Sequence, residues 1–348
     1  MVADTMPMSD VQFVKWEPSK LMTARCMKLY KAAGTFDVVA KGDLVAIKLH
    51  VGEYGNTTHL NPVFVKEICE AVRQKGGKPF LTDSSTLYPG ARHNAYDHYI
   101  TAMAHGFGDC APWIPGDGLK GEHGVIVPTK GILKEIEVAG AIAEADAMIV
   151  ATHVKGHANA GAGGAIKNLG MGCTTPAGKK AQHGAICMEF RVEKCKGCGK
   201  CVEACFMHCI RLVEGRMLVD KGKCMSCGFC AAACKNDAIR QGDKDALPRA
   251  LASAAYGVLS TFGKDKVSYV SFANNITQKC DCMASPGAPV HPDIGVFASD
   301  SAVSIDAAAF NIIGEQLTKM NHSDCFLQVK ELRSFGYPGD LKPKVIEL

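Results

Sequence analysis

The 348-residue sequence predicts an α/β fold: a mostly parallel sheet covered by helices, interrupted by a small cysteine-rich α+β insertion. Two observations carry this prediction. Short apolar runs alternate with helical segments along most of the chain, and two matching cysteine runs stand together between residues 195 and 234. Strand–helix alternation of this kind builds parallel sheets with both faces covered.

Leu44 to Leu49 is a short apolar run suited to a buried strand. Asn61 is placed to cap a helix, with Pro62 at its first position and Gly76-Gly77 as its stop. Pro79 to Thr82 reads as a brief strand and His93 to Ala104 as a helix. Gly124 to Val127 and Ala147 to Thr152 read as strands separated by a helical Ile132 to Ala145. After the cysteine runs come a helix (Asp245 to Ser260), two strands (Val267 to Phe272, Ile294 to Ala298) and a helix (Ser304 to Leu317). The α/β body is therefore expected over 1–187 and 244–348, with 188–243 as the insertion.

Composition narrows the classes. Hydrophobic residues make up 47% and charged residues 21%, with a net charge of +4, too small to imply nucleic acid or a membrane surface. The first ten residues lack the basic and apolar regions of an export signal, and no apolar run approaches the roughly 20 residues of a membrane span. A cytoplasmic protein is expected. Seventeen cysteines in such a chain point to metal-bound thiolates rather than disulfides.

Cys195, Cys198, Cys201 and Cys205 read C-x2-C-x2-C-x3-C, and Cys224, Cys227, Cys230 and Cys234 repeat it 29 residues later. Lys194 with Lys223 and Ile210 with Ile239 keep the same register, so the segment is an internal duplication. Two complete runs at this spacing favour two [4Fe–4S] clusters of ferredoxin-like type; zinc, the competing reading, normally takes paired C-x2-C knuckles. In such modules the fourth cysteine crosses over. One cluster is then expected on Cys195, Cys198, Cys201 and Cys234, the other on Cys224, Cys227, Cys230 and Cys205. Phe206 and Lys235 stand where a proline usually follows the fourth cysteine. Residues 189–243 hold ten basic and seven acidic side chains, a balance suited to an acidic electron donor or simply to a solvated surface.

Polar residues collect after the expected strands: His50 and Glu53, Asp83 to Ser85, His153, Lys155 and His157, Cys280 to Cys282, and Asp300. Ligands of open α/β sheets bind outside the carboxyl ends of strands, so a site is expected there. Lys155, His157, Lys167 and Asn168 lie in a glycine-rich stretch whose amides and lysines suit an anionic small molecule, or form only a structural turn. No nucleotide-binding motif fits this stretch. Cys280-Asp281-Cys282 reads as a metal-binding pair, as redox thiols or simply as the end of a strand; Cys280, Cys282, His153 and His183 form a candidate additional metal site, with His50 and Glu53 as further candidates for metal binding or proton transfer. A disulfide between Cys280 and Cys282 is not expected, because cysteines so close in sequence bridge with difficulty.

The runs His50-Val51-Gly52-Glu53-Tyr54-Gly55-Asn56, Leu81 to Tyr88, Lys155-Gly156-His157, Gly163 to Gly172, Cys280-Asp281-Cys282, Pro292 to Gly295 and Ser304-Ile305-Asp306 together resemble a known family. It is the family catalogued as domain of unknown function 362 (DUF362), in its subgroup with an inserted double-cluster ferredoxin module. The body is also distantly similar to the N-terminal domain of lactate racemase. The resemblance implies a cytoplasmic iron–sulfur protein of a kind frequent in anaerobes, and fold alone transfers no activity.

Three functions follow as expectations. The first is an iron–sulfur oxidoreductase in which a redox partner supplies electrons to a substrate, flavin or metal on the α/β body. The second is an electron carrier with a non-catalytic docking domain. The third is a redox-neutral isomerase or racemase-like enzyme with structural clusters.

Overall fold

The computed structural model describes residues 10–348. Its central sheet is built from β1 (Val11–Lys15), β2 (Leu44–Lys48), β3 (Lys78–Thr82), β4 (Ala147–His153), β5 (Val267–Ala273), β6 (Gly295–Ser299) and β7 (Val345–Glu347). The spatial order is β7-β1-β6-β5-β4-β2-β3. All pairs are parallel except those of β6, which runs against both β1 and β5. Seven helices carry the rest of the description: α1 (Met22–Ala32), α2 (Pro62–Gln74), α3 (Ala95–Ala104), α4 (Ala165–Gly170), α5 (Pro176–Gly184), α6 (Ala246–Leu259) and α7 (Ala302–Asn321).

Every residue of β4 is buried, as a strand covered on both faces must be. Leu29 and Tyr30 of α1 and Phe64, Val65 and Ile68 of α2 cover one face. Ile166 and Leu169 of α4, Ala255 and Val258 of α6, and Ile305 and Phe310 of α7 cover the other. The Asn61 side chain accepts from the Val63 amide at 3.0 Å, so α2 starts where its cap and Pro62 require.

Two expectations fail. Ile132 to Ala145 is not a helix: Glu135–Ala139 is a strand paired antiparallel with Gly124–Pro128, and only Gly140–Ala143 is helical. The alternation of Glu135, Ile136, Glu137 and Val138 has the two-residue period of a half-buried strand. Asp300 is not at the site edge either. Because β6 runs backwards, the residue after it lies at the opposite edge, beside Asp37 and Asp265.

The cysteine-rich segment has its own small apolar cluster around Cys201, Ile210, Met217 and Ile239. Its duplication is visible in the backbone. Left-handed φ angles recur at Gly197 and Ser226, Gly199 and Gly228, and His208 and Asp237, each pair 29 residues apart. Pairing interlocks the halves: Phe190 of the first pairs with Ile239 of the second, and Ile210 of the first with Val219 of the second.

Candidate functional site

Strands β2, β3, β4 and β5 end at one edge of the sheet, and the residues after them converge on a cavity of about 110 Å³. His50, Asp83, Ser84, Lys155, His157 and Cys282 are among its lining residues. Arg92, Lys167, Asn168, Lys179 and His183 complete the polar part of the wall.

The floor is a buried charge network. Lys48, at 0% exposure, donates to the Asn168 side-chain oxygen at 2.6 Å and pairs with Asp83 at 3.0 Å. Burial works against the Asp83 charge, but Lys48, His98 and Arg92 outweigh it and lower its pKa. Gly172 lies so close to Lys48 Nζ and the Asn168 carbonyl that a methyl group there would collide with both. Lys179 donates to Ser84 Oγ at 2.6 Å, and burial lowers its pKa to about 8. Asp117 accepts from the Ser85 amide and hydroxyl, fixing the turn after β3.

The wall is cationic. Lys155 is paired with Asp281 at 2.7 Å, and Arg92 with Glu53 at 3.1 Å and the Tyr88 hydroxyl at 2.7 Å. Lys167 is half-buried and stands with Lys155 against Gly163; burial, Lys155 and Arg92 push its pKa down to about 7. Burial and the Lys167 charge likewise hold His157 well below its usual range and bring His183 to about 4. Among the described residues, Lys48, Asp83, Lys155 and Asp281 cancel as pairs, leaving Lys167 and Lys179 without carboxylate partners.

The sequence-predicted metal set is rearranged. Both ring nitrogens of His153 are taken, by Asp281 at 2.8 Å and by the Asn274 carbonyl at 2.8 Å, so it has no atom for a metal. His183 lines the cavity beside Lys167. The residues that do come together are His157, Cys280 and Cys282, with potential ligand atoms within 4.8 Å of one another. Cys280 and Cys282 are joined as a disulfide, contrary to expectation. Their Cα atoms are 5.3 Å apart, inside the range a disulfide spans, because the loop bends around Asp281 instead of running extended.

The cysteine runs sort into two small cavities. Cys195, Cys198, Cys201 and Cys234 line one, and Cys205, Cys224, Cys227 and Cys230 line the other, with Cys209 beside them. Amides of Gly197 and Met217 point at Cys195 Sγ (3.4 and 3.3 Å), and that of Ser226 at Cys224 Sγ (3.5 Å). The second set lies next to the sheet-edge cavity. Met225 lines that cavity, Phe206 stacks edge-on against Tyr88, and Asn159 bonds the Cys227 carbonyl.

A family model described as "Domain of unknown function (DUF362)" matches residues 45–311. The chain belongs to this family. The match begins before and ends after the cavity-lining residues on both sides of the cysteine runs. No curated protein matches the chain. Among solved structures, the lactate racemase apoprotein from Thermoanaerobacterium thermosaccharolyticum is 12% identical over 78% of this chain and 52% of its own, with a TM-score of 0.40. A Thermotoga maritima protein solved as a structural-genomics target is 11% identical over 86% of this chain and 58% of its own, with a TM-score of 0.43. The chain thus spans little more than half the length of either structure. DUF362 membership and the grouped cysteines are compatible with iron–sulfur binding. Among the described residues no helix is long and apolar enough to cross a membrane.

Sequence reasoning missed Lys48, Arg92 and Lys179. Lys48 carried a usable signal: a lone lysine inside the apolar run Leu44 to Leu49 must either end the strand or be buried with a partner.

Proposed function

We propose that this chain is an iron–sulfur redox protein that delivers electrons to an anionic molecule held in the sheet-edge cavity. One observation carries the reading: the eight cysteines of the two runs sort into two cavities with Cys205 and Cys234 exchanged. That exchange is the ligand pattern of a double [4Fe–4S] module, and paired zinc knuckles would not call for it. Bound there, such clusters supply one-electron transfer. The nearby amides of Gly197, Met217 and Ser226 would stabilise thiolate charge.

The protein's own residues divide the remaining work. Lys155, Lys167 and His157 bind the anion from one side of the cavity. Asn168 positions rather than binds, because its side chain already serves Lys48, the Ala151 carbonyl and the Thr152 hydroxyl. The basic excess of residues 189–243 suits an acidic protein as electron donor.

Anaerobic purification followed by iron, sulfide and paramagnetic resonance measurements tests this. About eight irons and eight sulfides per chain are expected. Cys234→Ser should disturb the cluster of the first run, and Cys205→Ser that of the second. Zinc in place of iron, or a Cys234→Ser change confined to the second run, would overturn the reading. Loss of anion binding in Lys167→Met with iron retained would separate the cavity from a mere docking surface.

A further inference from the structure

We infer that Cys280 and Cys282 form a redox-active disulfide that opens to a dithiol in the cavity wall, a two-electron site placed where the bound anion lies. The inference rests on the redox reading above and adds to it the group that accepts the electrons.

The bond is selective. The fifteen other cysteines are unbonded, including Cys205 and Cys209, whose sulfurs lie 3.3 Å apart. It is also a poor staple. A bridge over one intervening residue removes very little freedom from the unfolded chain, so stability does not account for it.

Its surroundings suit thiol chemistry. Cys282 lines the cavity that Lys155 and Lys167 also line, so an opened pair would meet the bound anion there. A ring nitrogen of His157 lies within 4.8 Å of both sulfurs. Asp281, between the two cysteines, is pinned by His153 and Lys155, while the Glu53 amide donates to its carbonyl at 2.8 Å. The loop therefore keeps its place when the bond opens. On the far side of His157, Asn159 donates to the Cys227 carbonyl, which puts the disulfide one turn of chain from the second cysteine run.

The step balances. The S–S bond breaks, two electrons and two protons are taken up, and two S–H bonds form. The electrons come from two equivalents of a low-potential one-electron donor, each oxidised once, and the protons come from water.

The full-length protein, kept anaerobic, is treated with reduced methyl viologen, quenched with iodoacetamide and digested for peptide mass spectrometry. The peptide holding Cys280 and Cys282 should carry no label before reduction and two labels after it. Cys282→Ser should keep its iron and sulfide while consuming two fewer electron equivalents. Two labels before reduction, none after it, or release of a metal from the pair on denaturation would each overturn the inference. Labelling in the wild type does not depend on how any variant folds. Iron and sulfide measured on the same sample keep the two ideas apart: missing iron sinks the cluster reading, and an inert pair with full iron sinks this one.

Discussion

Asn159 and Cys227, 68 residues apart, are joined by a hydrogen bond from the Asn159 side-chain amide to the Cys227 carbonyl at 3.2 Å. The same Asn159 receives its own orientation locally, its backbone amide donating to His157 Nδ1 at 3.3 Å. One short turn thus links the cavity wall to the cysteine-rich unit.

Asn159→Ala should loosen that seating without harming the sheet. Loss of one such bond costs about 0.5–1.5 kcal/mol, roughly a two- to tenfold change in local opening. Hydrogen exchange over residues 224–230 should quicken by that factor while β4 and β5 stay unchanged. Unaltered exchange at 224–230 would mean that the bond does not hold the unit in place.

The Lys48–Asp83 pair should be costly to break from one side. Lys48→Met leaves the Asp83 carboxylate buried at 3% exposure without its closest cation. An uncompensated buried charge of this kind costs about 3–5 kcal/mol. Lys48→Met with Asp83→Leu should lose less than the two single changes summed, because both charges leave together. Denaturant unfolding of the four proteins measures this, and simple additivity would show that the pair is not coupled.

The fold was legible where periodicity was undivided. β2 and β4 each open on an uninterrupted apolar run, and α2 announced both its cap and its stop, so tertiary context had nothing to overrule. The 132–145 segment misled because its apolar residues sit close to helical spacing on average, while the alternation that decides it spans only Glu135 to Val138. Direction is a property of pairing, not of a strand's own residues, so the reversal of β6 and the displacement of Asp300 could not be read from the sequence. The two repeated cysteine runs were legible because their spacing is local in the chain. His157 displacing His153 beside Cys280 and Cys282 was not, since it turns on which histidine Asp281 and the Asn274 carbonyl claim first.

Asp306 ties α7 to the start of α4, accepting from the amides of Ala165 (2.6 Å) and Ile166 (2.9 Å). Gly164 is required beside it, since a methyl group there would strike the carboxylate. Burial raises the Asp306 pKa to about 7 from the ordinary carboxylate value of about 4, even though the two amides favour its charge. Between those values the folded state holds more protons than the unfolded chain, so this group makes stability fall as pH rises from about 4 to about 7. Asp306→Asn should remove that fall, and Asp306→Ala should cost about 1–3 kcal/mol by leaving amides unpaired. Urea unfolding at several pH values checks both; an Asn variant with an unchanged pH profile would sink the assignment.

Lys167 should make anion binding depend on pH. Burial and the charges of Lys155 and Arg92 bring its pKa to about 7, below the ordinary lysine value of about 10.5. Below about pH 7 it is charged and attracts an anion; above that pH it is increasingly neutral. Sulfate does not titrate in this range, so its affinity should hold steady below about pH 6 and fall by up to about tenfold per unit above 7, with proton uptake on binding. Lys155 does not mask the loss of the Lys167 charge, because its own is balanced by Asp281 at 2.7 Å. The same group has a stability signature of opposite sign to Asp306. The unfolded chain holds the extra proton between about pH 7 and 10.5, so this group makes stability rise across that window; Lys167→Met should remove that contribution, leaving the one Lys179 makes above about pH 8, and should flatten sulfate binding between about pH 6 and 8. Calorimetry in buffers of different ionisation enthalpy reads the proton uptake directly, and a flat wild-type profile from pH 6 to 9 would show that Lys167 is not the group that meets the anion.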